Sequence, residues 1–184
     1  MAAAASVAGA APVQWTTASG GNGHYYEAVF VGASGITWAA AEADAVARGG
    51  HLASVTSAAE NAFVYSLVSD PSWWHSSGGG SYVGPWIGGT RPTTSTTAWG
   101  WTDGSAWAYT NWAASQPTNT NGNEYYVHYI GAGTTPADTW NDLASPPPGG
   151  WAVTGYVVET VPEPTGVVMA GAAALVLGRR RAKR

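Results

Sequence analysis

The sequence predicts an α+β fold: two helices against a small antiparallel sheet, with a long irregular loop region. Both helix signals fall in the first half of the chain, strand-like aromatic runs fill the second, and cysteine is absent from all 184 residues. The missing cysteine excludes a disulfide scaffold, a zinc ribbon and a thiol nucleophile. The chain holds 11 Trp and 9 Tyr against 2 Phe, so its core must rely on rings that pack and still hydrogen-bond.

The first helix lies within Ser34 to Gly50. Thr37 is a good N-cap, Trp38, Ala41 and Ala45 share one face, and Gly49-Gly50 stop it. A short strand, His51 to Val55, follows. Ser57-Ala-Ala-Glu60 reads as a capping box opening the second helix, whose apolar face is Phe63, Val64 and Leu67. Strands are expected at Val83–Gly89, Ala98–Thr102, Glu124–Ile130 and Gly155–Thr160, separated by Gly, Ser, Thr, Asn and Pro. The long irregular region runs from about Asp103 to Asp142, and its Trp and Tyr content argues for order. Ser76 to Ser81, beside Trp73-Trp74, reads as an exposed loop insertion.

Charge narrows the function. The formal net charge is −4, but five of the seven basic residues are Arg179, Arg180, Arg181, Lys183 and Arg184. Through Gly178 only Arg48 and Arg91 stand against all 11 acids. A body this acidic does not hold nucleic acid through phosphate contacts, though it could attract a hard cation. His24, His51, His75 and His128 show no HExxH or other i, i+4 pairing, and neither a GxSxG nor a phosphate-binding loop is present.

The ends differ from the body, which is expected to span residues 22–160. Residues 1–21 read as a leader: Met1 to Pro12 is a small-residue run with an Ala8-Gly9-Ala10 site, like the back half of a signal peptide. The alternative is an Ala-rich start. At the other end, residues 161–184 begin with Val161-Pro162-Glu163-Pro164 and continue through an apolar run into Arg179-Arg-Arg-Ala-Lys-Arg184. The 14 residues from Thr165 to Gly178 would make a helix of about 21 Å, shorter than the ~30 Å hydrocarbon core. The order closely resembles a PEP-CTERM sorting signal, with Pro162, Glu163 and Pro164 as its motif. That resemblance implies bacterial export, transient inner-membrane anchoring and cleavage by an exosortase, leaving the body at the envelope, cell surface or extracellular matrix. A plain tail anchor is the other reading.

The body carries a second resemblance. Trp38, Ala41 and Gly49-Gly50-His51-Leu52-Ala53-Ser54-Val55 look like the first helix and following strand of the C-type lectin-like domain. Glu60 with Phe63-Val64 matches its second helix, and Trp86-Ile87-Gly88-Gly89 stands at its WIGL signature, with Gly in place of Leu. Trp101-Thr-Asp-Gly-Ser105, Tyr109, Asn111-Trp112, Gln116-Pro117, Glu124, Trp140-Asn141-Asp142 and Tyr156-Val-Val-Glu159 follow in the family's order. The family's cysteines would fall at Ala45 with Val158 and at Tyr126 with Ser145, and all four are replaced. Trp38, Trp86, Trp101 and Trp112 are expected to make good the lost disulfides by packing.

In sugar-binding members, a motif of EPN or QPD type, a Glu eight residues after its first position, and a WND hold Ca²⁺, which binds two adjacent sugar hydroxyls. Ca²⁺ takes 6–8 hard oxygen ligands. The resemblance implies Gln116, Thr118, Glu124, Asn141 and Asp142 as the ligands, with Pro117 as the motif's cis proline. The same residues and Asn119 would meet the sugar. Thr118 departs from the pattern with a shorter, neutral arm, so either a water bridges it or Asn119 substitutes. Tyr125 stands where many members have Asp, so no auxiliary calcium site is expected. Trp107, Tyr109 and Trp151 are candidates for stacking on a sugar face, or for packing. The expectation is a non-enzymatic, calcium-dependent module for a glycan or exopolysaccharide whose sugar the motif does not name. The rival is a structural or protein-binding domain on the same fold without calcium or sugar. A hydrolase using two of Asp103, Glu124, Asp138 and Asp142 is a distant third.

Overall fold

The computed structural model describes residues 9–78 and 80–162. The apolar and basic tail, with Glu163 and Pro164, lies outside the described residues, as do residues 1–8. In chain order the elements are β1 (Val13–Gln14), β2 (Tyr25–Phe30), α1 (Trp38–Ala47), β3 (His51–Leu52), α2 (Ala58–Ser66), β4 (His75–Ser76), β5 (Ser81–Thr90), β6 (Gly100–Trp101), β7 (Tyr126–Ala132), β8 (Thr135–Leu143) and β9 (Gly155–Thr160). The fold is α+β, as the sequence predicts. The sheet order is β1-β2-β9-β5-β7-β8, with β3 added to β9 and β4 and β6 to β5. It is larger than expected and not wholly antiparallel, because β5 and β9 meet in parallel at Trp86 and Tyr156.

Side-chain alternation along the central strands splits the core in two. Trp86, Tyr156 and Val158 pack with Trp38, Ala41 and Ala45 of α1. Ile87, Val127, Tyr129, Trp140 and Val157 pack with Val64 of α2. The buried positions of α1 are Trp38, Ala41 and Ala45, the face read from the sequence, and Thr37 caps it by accepting the Ala40 amide. In α2, Ser57 accepts the Glu60 amide, but the Glu60 carboxylate returns to the amide of Thr56 at 2.7 Å and not to that of the cap residue. Burial explains this choice: Glu60 also accepts the hydroxyl of Tyr26 at 2.5 Å inside the core.

Four strands, β1, β2, β4 and β8, were not among those expected. β2 hides its alternation because Ala28 and Val29 are both buried. β8 opens with Thr135, Pro136, Ala137 and Asp138, a poor strand composition tolerated at a sheet edge. It replaces the end of the region expected to be irregular. Ser76 to Ser81 is likewise not a free insertion, since β4 pairs with β5 and Trp74 is buried, stacked on Tyr82. Upstream, Trp15 is buried and stacks on Phe63, so the packed body includes residues ahead of Asn22.

The four positions that replace the family's cysteines are all packed. Ala45 and Val158 are fully buried in one cluster. Tyr126 stacks on Trp38 at 4.7 Å, and the Trp38 amide donates to the Ser145 hydroxyl at 2.8 Å. Trp86 and Trp101 are buried, and Trp112 packs half-buried against the cluster around Trp140.

Candidate functional site

The site lies where the β7–β8 pair meets the loop 113–125. Opposite residues on antiparallel strands share a face. His128 pairs with Asn141, and Val127 with Asp142, so Asn141 and Asp142 leave β8 on opposite faces. Gln116-Pro117 is a cis peptide bond, as the resemblance implies, and Ser145-Pro146 is a second one. Ser115, Asn119 and Asn121 take positive φ, which wraps the loop tightly around the end of β8.

Asp142 anchors that loop. Its Oδ1 accepts the Thr118 amide at 2.9 Å and its Oδ2 the Asn119 amide at 2.8 Å. Glu124 closes the other side by accepting the Thr120 amide at 2.6 Å and the Thr118 hydroxyl at 3.3 Å. The Asn119 side chain accepts the Glu124 amide at 3.3 Å. Both carboxylates are buried. Burial pushes the Glu124 carboxyl up, and the charge of Asp142 adds to the push, while the Thr120 amide opposes it.

The other two expected residues are placed differently. The Asn141 amide donates to His128 Nε2 at 3.0 Å and to the carbonyl of Asp142 at 2.6 Å. The side-chain oxygen of Gln116 is buried with no hydrogen-bond partner among the described residues. Gln116 lines a cavity of about 320 Å³ with Ala113, Ala137 and Thr139. Thr118, Asn119, Glu124 and Asp142 thus form one network, with Asn141 at its margin, while the Gln116 side chain faces a cavity lined by none of the four.

Of the five expected ligands, Thr118, Glu124 and Asp142 share the network and offer the hard oxygens a cation takes, while the side chains of Asn141 and Gln116 are engaged or aimed elsewhere. A carboxylate oxygen holds two lone pairs, so Asp142 keeps acceptor capacity after taking two amides. The charges of the two buried carboxylates repel each other. Among the described residues no three His, Cys, Asp or Glu side chains gather closely enough to hold a metal ion, so an ion here would depend on amide and hydroxyl oxygens as well. The remaining acids are engaged elsewhere: Asp103 accepts the Ser105 amide, and Asp138 holds Asn61. Trp107 lies half-buried beside Trp99 and Trp101, Tyr109 sits edge-on to Trp140, and Trp151 packs on the α1 side of the core.

Three contributors were not singled out from sequence: Thr120, His128 and Arg91. Thr120 acts through its backbone amide and left no signal. His128 was legible as every second residue from Tyr126 on an aromatic strand. Arg91 was legible as one of two bases in an acidic body.

The model of the Lectin C-type domain matches residues 34–146, more than half of the chain. The chain belongs to the C-type lectin domain family. It is 36% identical over 88 residues to ladderlectin of Oncorhynchus mykiss, covering 48% of this chain and 42% of that protein. It is 35% identical over 80 residues to the galactose-specific lectin nattectin of Thalassophryne nattereri, covering 44% and 45%. The chain therefore spans less than half the length of each of these relatives. Among solved structures, a calcium-independent type II antifreeze protein superposes with a TM-score of 0.58 at 26% identity, over 84% of this chain and 96% of that one. Among the described residues of this C-type lectin domain, no helix is long and apolar enough to cross a membrane.

Proposed function

We propose that this C-type lectin domain is an exported, non-enzymatic module that binds a glycan or exopolysaccharide through one calcium ion. The observation that carries the reading is the pair Glu124 and Asp142, two buried carboxylates closed onto one loop. Gln116, Thr118, Glu124, Asn141 and Asp142 would hold the ion, with Asn119 able to replace Thr118. Bound calcium would supply coordination positions for two adjacent sugar hydroxyls. The chain's own residues do the rest: Asp142 fixes Thr118 and Asn119, and Glu124 fixes Thr120, so the loop is shaped before a ligand arrives. The galactose-specific relative supports a sugar ligand. Delivery to the envelope or matrix would rest on the leader and on the tail, with Pro162, Glu163 and Pro164 as the exosortase motif and the inner membrane as a transient partner.

A second reading has an observation of its own. Both oxygens of Asp142 already accept loop amides, so the loop is closed by protein alone. On that reading the domain is structural or protein-binding and needs no calcium. Calorimetric calcium titration of the full chain separates the two. The first expects a dissociation constant on the order of 10⁻⁴–10⁻³ M, as in extracellular modules, lost in Asp142→Ala. The second expects no calcium-dependent heat in either protein.

A further inference from the structure

Arg91 is only 4% exposed, yet among the described residues it joins no salt bridge. The other base of the body, Arg48, pairs with Glu27 and Asp44. The guanidinium of Arg91 instead bridges carbonyls. Its Nε donates to the Glu124 carbonyl at 3.0 Å and its Nη1 to the Ser95 carbonyl at 2.5 Å. It lies 5.3 Å from the ring centre of Trp99 and 5.1 Å from that of Tyr125. Its backbone amide donates to the Tyr125 carbonyl at 3.0 Å. Its Nη2 is buried with no hydrogen-bond partner among the described residues.

A buried cation without a counter-ion is costly, and an apolar side chain of similar volume would fill the space at less cost. The carbonyls and ring faces offset part of that cost. What an apolar side chain cannot do is join two loops through a rigid fork of donors. The loops joined here both bear on the site. On one side, Glu124 carries the inward carboxylate, and the Tyr125 hydroxyl donates to the Gly122 carbonyl at 2.8 Å. On the other, the segment from Ser95 ends at Trp99, which packs on Trp112 at 5.0 Å, and Trp112 packs on Trp140 at 5.9 Å, one residue before Asn141.

We propose that Arg91 is a resident cation that sets the 119–125 loop in its ligand-ready shape, a positioning residue that touches neither ion nor sugar. Its effect on calcium rests on the function proposed above; its hold on the loop does not. The test uses Arg91→Lys, which keeps the charge and loses the fork, and Arg91→Met, which loses both. Amide hydrogen exchange in chelator reads the loop, and calcium titration reads the site. Exchange over residues 119–125 is expected to rise about ten-fold or more in Arg91→Met and less in Arg91→Lys, with α1, β2 and β9 unchanged. The calcium dissociation constant should rise in the same order. Unchanged loop exchange in both variants overturns the proposal. A calcium constant that stays put while loop exchange rises overturns the link from Arg91 to the site, and one that tightens in Arg91→Met overturns it too, since the charge would then matter and not the fork. If the wild type binds no calcium while loop exchange rises in the variants, the calcium reading fails and the hold on the loop stands.

Discussion

His128 should make the domain lose stability in mild acid. The side chain is fully buried, edge-on to Trp86, with Asn141 donating to its Nε2. Burial pushes its pKa down from 6.5 to about 4, opposed in part by backbone carbonyls of Gly84 and Tyr129. As pH falls, the unfolded chain therefore takes up this proton first. The contribution is complete above pH 6.5 and drains away as pH approaches 4. The gap between the two values, at about 1.4 kcal/mol per pKa unit, is worth about 3 kcal/mol, a large part of a typical domain's total. Other groups titrate in the same window, and Glu124 and Glu159, both pushed up by burial, act in the opposite sense. The comparison is therefore with His128→Gln, which keeps an acceptor for Asn141 and cannot be protonated. Urea unfolding in chelator, followed by Trp fluorescence at pH 7.5, 5.5 and 4, gives both stabilities. The wild type should lose about 3 kcal/mol relative to the variant across that range. A difference that does not change with pH would refute the reasoning.

Restoring the family's Leu at Gly89 should destabilise the fold. A Cβ there would stand 2.5 Å from Val127 Cγ2 and 3.2 Å from the Trp107 ring, so Gly89→Leu is expected to cost about 1–3 kcal/mol by overpacking, and an unchanged urea midpoint counts against it. Cysteines at Ala45 and Val158 together should form a disulfide in air and add about 2–4 kcal/mol, read as a raised melting temperature that falls back on reduction. Failure to oxidise would show that the two positions do not face each other. Thr118→Asp puts a carboxylate where a hydroxyl now bonds Glu124, so it should lower stability in chelator and tighten calcium; calorimetry that finds weaker calcium binding speaks against the ligand assignment.

Much of this was legible because local chemistry and tertiary packing agree. Thr37 caps α1 and Trp38, Ala41 and Ala45 form its buried face, so pattern and burial coincide. Trp86 and Ile87 could be placed on a strand, but their division between two core clusters depends on sheet topology that no short window contains. β8 was obscured by Pro136 and Asp138, whose poor strand propensity is overridden by pairing with β7. In the site, Glu124, Asp142, Thr118 and Asn119 were named by the family resemblance, and they share one hydrogen-bonded network. The turning of Asn141 toward His128 was not readable, because it follows from β8 placing consecutive residues on opposite faces. The role of Arg91 was missed because one of only two bases in an acidic body looks like solvation until its burial is known.

Glycan-array binding of the full chain, read with calcium and again with chelator, alongside Asp142→Ala, is the most direct test of the central claim. Wild-type signal is expected on a defined set of sugars in calcium, improved by multivalent display, abolished by chelator and absent from Asp142→Ala. Binding that survives chelation, or that persists in Asp142→Ala, would contradict it by locating the sugar on a surface other than the Glu124–Asp142 loop.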